Sequence, residues 1–125
     1  MRITTFLSAA ALVLTFALTR PGGAAAGAQS LAPAAPSDLV AVGVSTSAIT
    51  ISWTDNSSDE LGFEIEHCQG TDCTDFVHLA TMSANATNAT ISGLGKNKTY
   101  TYRVRARNDA GDSAYSNSAW ATTLR

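Results

Sequence analysis

Four side chains capable of metal or redox chemistry fall in one short stretch, IEHCQGTDCTDFVH, from Ile65 to His78. It holds both cysteines and both histidines of the 125-residue chain. As a string, His67, Cys68, Cys73 and His78 offer four ligands of the kind zinc takes. The local geometry opposes that reading. His67 and Cys68 are neighbours, and neighbours on a strand point to opposite faces. Structural zinc sites more often set a cysteine pair against a separate histidine pair. A C-x2-C redox motif is absent, because four residues separate the thiols. A disulfide fits better. Gln69–Asp72 reads as a glycine-containing hairpin loop, and residues opposite each other in a hairpin sit about 4.5–5.5 Å apart. Cys68 and Cys73 are therefore expected to be bonded, with zinc and free thiols as the competing readings.

Other chemistry finds less support. Serine and threonine are plentiful, but no nucleophile, base and orienting acid can be assembled, because both histidines lie in or beside the cysteine loop. No Gly-rich phosphate loop is present. Neither catalysis nor a metal or cofactor is expected. Sequons occur at Asn56, Asn85, Asn88 and Asn97, and matter only in a eukaryotic secretory route.

The start of the chain reads as an export signal. Arg2 precedes a mostly apolar run of 13 residues, Phe6–Leu18, which is short against the roughly 20 needed to span a bilayer. The small residues GAAAGA then mark a cleavage site, with Ala28 the preferred last residue and Ala26 the next. Residues 1–28 are thus expected to be a signal peptide, and the mature protein secreted, with no membrane insertion. Removing them takes away Arg2 and Arg20. Lys+Arg falls from 8 to 6 against 10 Asp+Glu, and the net charge moves from −2 to −4. An acidic balance argues against nucleic acid or an anionic membrane surface as a partner. Export also favours the disulfide.

The remaining residues must position these groups. QSLAPAAPS (Gln29–Ser37) reads as a short flexible lead, with a linker over 29–35 and one domain over 36–125. No helical periodicity follows. AITISW puts Ile49, Ile51 and Trp53 on one strand face. FEIEHC puts Phe63, Ile65 and His67 inward, with Glu64, Glu66 and Cys68 outward. FVHLATM is β-prone with an ambiguous inward set, and NATIS turns Ile91 in. YTYRVRA alternates most clearly, with Tyr100, Tyr102, Val104 and Ala106 on one face and Thr101, Arg103, Arg105 and Arg107 on the other. Short strands divided by turn signals imply an antiparallel sandwich or barrel.

These segments resemble a fibronectin type III domain. APSDL (Ala35–Leu39) is similar to the family's opening strand, ITISWTD carries its strand tryptophan at Trp53, and LGFEIE resembles the third strand. LGKNKTYTYRVRARNDAGDSAYS (Leu94–Ser116) is the most specific piece. It fits the family spacing of Leu94, Tyr100, Tyr102, Val104, Ala106, Asn108, Gly111 and Ser116, although Lys96 replaces the usual proline. The match spans about residues 35–124, and its wording is similar to bacterial secreted members. The resemblance implies an all-β fold, a seven-stranded antiparallel immunoglobulin-like sandwich. Tyr100 would then form a tyrosine corner, its hydroxyl bonded to upstream backbone. Glu64 and Glu66 would share a face with Arg103 and Arg105 as cross-strand pairs.

The resemblance also gathers candidate surfaces. The loops DNSSDE (Asp55–Glu60) and NDAGD (Asn108–Asp112) would share one pole, where Asp55, Asp59, Glu60, Asp109 and Asp112 offer oxygen ligands or binding contacts. Turn formation alone accounts for the same residue types. The R-G-D tripeptide of some animal members is absent; Ala110-Gly111-Asp112 stands in that loop. Trp120 would face outward between inward Ala119 and Ala121. An exposed indole can stack on a sugar ring or anchor an interface, or simply lie over its own sheet near Tyr115. The expected function is an exported, non-catalytic binding or spacer module toward extracellular protein or polysaccharide. The alternative is a structural component of an envelope or matrix assembly.

Overall fold

A computed structural model describes residues 31–125. The proposed signal peptide, its cleavage site and the first residues of the linker lie outside them. Among the described residues no helix is long and apolar enough to cross a membrane. The described chain is all β. The strands are β1 (Ser37–Gly43), β2 (Ile49–Thr54), β3 (Gly62–Gln69), β4 (Val77–Ser83), β5 (Asn88–Ile91), β6 (Thr99–Asn108), β7 (Gly111–Asp112) and β8 (Ala119–Thr122).

Two antiparallel sheets form. One has the order β1-β2-β5; the other runs β4-β3-β6, with β7 and β8 both paired to the far side of β6. The inward faces follow the alternation of the sequence. Ile49, Ile51 and Trp53 of β2 meet Phe63 and Ile65 of β3 and Tyr102, Val104 and Ala106 of β6. Trp53 and Phe63 tilt against each other with ring centroids 5.5 Å apart. Burying side chains of this size contributes about 1.5–3 kcal/mol each, which makes this layer the main source of stability.

The seventh strand of the expected sandwich is split into β7 and β8. Between them, Ser113–Ser118 leave regular pairing, yet β6 keeps its partners. Ser113 N–H donates to the Ala106 carbonyl at 2.8 Å, and Ala106 N–H donates to Ser113 Oγ at 2.8 Å. Ser116 does the same for Val104, at 2.7 and 3.0 Å. Two serine hydroxyls thus replace the missing ladder acceptors, which buried backbone groups require.

The same segment holds β1. Asn117 accepts from Leu39 N–H at 2.8 Å and donates to the Leu39 carbonyl at 3.0 Å, so its amide stands in for a strand. Further along, a Cβ at Gly43 would sit 2.1 Å from the Thr122 carbonyl oxygen, so only glycine permits this approach. Leu124 N–H then donates to the Ser45 carbonyl at 2.9 Å. The contacts advance together in both segments, so β1 lies parallel to the end of the chain.

Three expectations are corrected. The lead is already docked within its last residues: Pro33 is buried, and the Ala35 carbonyl accepts from Asn56 Nδ2 at 2.9 Å. Tyr100 makes no corner bond, and its ring stacks on His67 instead, 5.8 Å between centroids and 10° between planes. Tyr102 is the fully buried tyrosine, and its hydroxyl finds no protein partner. Cys68 does take the outward register, opposite in sense to His67, but it is only 4% exposed because the following loop covers it.

Candidate functional site

Outward residues of the five-stranded sheet line up in rows across its strands. One row holds Cys68, Thr101 and Trp120, directly opposite in register from β3 to β6 to β8. The next holds Glu66 and Arg103, and the next Glu64 and Arg105. Successive rows are about 7 Å apart. Trp120 therefore belongs to the cysteine end of the sheet.

The loop after β3 builds the first row. Gly70 adopts φ 104°, a turn that glycine allows, and the chain doubles back over the outer face. Cys73 reaches Cys68 from within this loop, with Cα atoms 6.0 Å apart, inside the range of about 4.4–6.8 Å that disulfides use. The link joins loop to strand, whereas the sequence implied two residues facing each other in a hairpin. The four-residue turn expected at Gln69–Asp72 is lengthened, since β4 begins only at Val77. Thr101 Oγ1 donates to the Gly70 carbonyl at 2.5 Å and is itself buried. Cys68, Cys73 and Asp75 bring ligand atoms within 4.8 Å of one another, but the two sulfurs are bonded together and offer no thiolate. His67 points inward and His78 is exposed, so the four-ligand string does not converge.

The second row is a filled stack. Arg103 donates to Glu66 Oε1 through Nε at 2.8 Å and Nη2 at 2.6 Å. Its guanidinium lies 4.1 Å from the Phe76 ring centroid and 3.7 Å from that of Tyr115. Tyr115 donates its hydroxyl to Glu66 Oε2 at 2.9 Å. Burial pushes the Glu66 carboxyl up, but the bonds from Arg103 and Tyr115 outweigh it and hold the group below the usual carboxylate range. Burial, and then the bond to Glu66, raise the Tyr115 phenol. Arg105 pairs with Glu64 at 2.9 Å and Asp112 at 3.3 Å. The cross-strand charge pairs expected from the sequence are thus present. The placement of Phe76 and Tyr115 against Arg103 escaped that reading, because they come from the β3–β4 loop and the β7–β8 segment and alternation does not show which loop residues cover a strand.

The acidic pole is a separate place. β6 runs from the Trp120 row at Thr101 to Arg107 opposite Asp112, about 20 Å away at strand rise. Asp59, Asp109 and Asp112 are exposed there. Asp55 Oδ1 accepts from Ser57 N–H at 3.0 Å, a local turn contact. Glu60 does not belong to the surface. It is 6% exposed and accepts from Ser57 Oγ and Asn85 N–H, each at 2.7 Å. Burial raises its pKa, and these bonds lower it further than burial raises it, so its carboxyl stays below the ordinary range. Asp112 is turned toward Arg105. Asp55 and Glu60 meet at the Ser57 hydroxyl, but the five acids do not gather into one site, and they lie at the other end of the sheet from Trp120.

Trp120 itself is 56% exposed. Beside it, Thr99 and Thr122 join their hydroxyls at 2.6 Å. It is an exposed aromatic ring beside rows whose glutamates and arginines are paired, with the exposed Asp75 near the disulfide of its own row.

The family model for the fibronectin type III domain matches residues 34–122. The chain belongs to the fibronectin type III family. It is 40% identical over 119 residues to Chitinase A1 of Niallia circulans, covering 94% of this chain and 15% of that protein. It is 35% identical over 95 residues to Contactin-5 of Mus musculus, covering 74% of this chain and 9% of that one. The chain thus spans a small part of the curated relatives it matches. Among solved structures, FN3tt superposes with a TM-score of 0.64 at 21% identity, covering 76% of this chain and 98% of that one. A Fn3-like protein from Clostridium thermocellum gives 0.63 at 22%, covering 76% and 97%. These structural likenesses establish the fold.

Proposed function

We propose that this chain is an exported, non-catalytic fibronectin type III module that binds, or sets a distance between, extracellular proteins or polysaccharide. The observation that carries the reading is Trp120, a large aromatic ring held in the open on a sheet face whose neighbouring Glu–Arg rows are paired. Chitinase A1, by its name a polysaccharide-degrading enzyme, supports a place beside such a polymer. The Cys68–Cys73 disulfide supports export, because such bonds persist in oxidising compartments.

The test uses the mature chain beginning at Gln29. N-terminal sequencing of the exported protein is expected to read from Gln29, and a chain starting at Met1 outside the cell would overturn export. Capture experiments against envelope extract and a glycan panel, chitin included, are expected to yield a partner whose retention falls with Trp120→Ala. A hydrolase screen that finds turnover by the purified module would overturn the non-catalytic reading.

A further inference from the structure

Resting on that reading, we infer that the Trp120 face takes an uncharged polysaccharide, one flat sugar ring seated on the indole. Three observations converge. First, the ring is exposed on a strand whose partner residue, Thr101, is locked by the Gly70 carbonyl and neighboured by the disulfide. The platform is pre-organised, so binding orders little. Second, the ionic groups in the adjoining rows are satisfied among themselves: Glu66 by Arg103 and Tyr115, Glu64 by Arg105. An anionic polymer finds no complementary charge in these rows, and the exposed Asp75 near the disulfide repels it, whereas a neutral one loses nothing by that. Third, the immediate surroundings are hydroxyl-bearing. Thr99 and Thr122 present a hydroxyl pair, and Ser118 is exposed.

A protein anchor would want a different setting. Interface hot spots sit in fully desolvated patches ringed by other contacts that exclude water. Along the chain from Trp120, the next exposed large hydrophobic residue is Leu124, about 13 Å away in extended backbone. An exposed indole flanked along its strand by Ser118 and Thr122 matches the C–H face of a pyranose, whose weakly positive hydrogens meet the negative ring face while hydroxyls bond at its rim.

The experiment incubates the mature chain with insoluble cellulose, chitin and mannan, and with anionic alginate gel as a charged comparison. Depletion from solution is expected on at least one uncharged polymer, with no stronger retention by alginate. Trp120→Ala is expected to weaken retention about tenfold or more, and Trp120→Phe to restore part of it. Because Trp120 is exposed and Trp53 buried, acrylamide quenching of the bound protein should fall in the wild type. An unchanged thermal midpoint shows that the alanine variant is folded. No retention by any uncharged polymer, or equal retention by Trp120→Ala, overturns the inference. If, in addition, Trp120 governs capture of an extracellular protein, the module reading survives and only the polysaccharide assignment fails. If neither polymer nor protein is held, both fail.

Discussion

Glu60 sits in a loop of serines and acids, where its neighbours suggest a solvated carboxylate. It is instead drawn in, to hold Ser57 and the Asn85 amide, and Asn85 needs that support because it occupies a left-handed turn at φ 67°. Removing the carboxylate takes the charged acceptor from the part-buried Asn85 N–H and Ser57 hydroxyl. Glu60→Ala is expected to lower stability by about 1–3 kcal/mol, read as a shift in urea midpoint with an unchanged slope. Because its folded pKa is depressed, the contribution is whole above the ordinary value of 4.5 and is lost as pH falls through the lower folded value. The sequence could not show this role, since Asn85 lies 25 residues away and offers only its backbone. The same blindness hid Phe76 and Tyr115: alternation says that Arg103 points outward, not what it lies between.

At the scale of elements, the clip and the clamp are separable. Cys68→Ser with Cys73→Ser opens a loop closed across a separation of 5 residues, and is expected to cost about 2 kcal/mol in thermal or chemical unfolding. Asn117→Ala deprives Leu39 of both backbone partners and is expected to cost about 1–3 kcal/mol. Amide exchange at Leu39 should accelerate in that variant while β2 and β6 stay protected. Legibility varied by element for plain reasons. β2, β3 and β6 bury one face each, so period-two alternation exposes them. β4 is an edge strand with a bulge between its pairs to Ile65 and Glu66, which breaks the alternation and left its inward set undecided. The break between β7 and β8 is repaired by Ser113 and Ser116 side chains, and a serine in sequence does not announce that it replaces a ladder bond.

For the whole molecule, family spacing and alternation carried the sandwich, while its polar interior left no mark in the sequence. His67 lies between Tyr100 and Tyr102, its ring 5.8 and 5.9 Å from theirs, and its Nδ1 has no protein partner. Burial lowers its pKa from the ordinary 6.5. The neutral form is therefore favoured by folding. Stability is expected to be full above about pH 6.5 and to fall as pH drops toward the lower folded value, ahead of the carboxylate-linked loss that starts near 4.5. His67→Phe should remove the first stage and leave the second, a difference that thermal midpoints across pH will show.

The parallel seam between β1 and the last residues has a mechanical meaning. A pull that enters at Ser37 and leaves through Leu124 runs along this seam in opposite directions. The Leu39–Asn117 and Ser45–Leu124 bonds are then loaded side by side, in shear, and must fail together rather than open one after another like a zip. A module strung between two anchored bodies would act as a load-bearing link, and single-molecule pulling should find Asn117→Ala yielding at lower force.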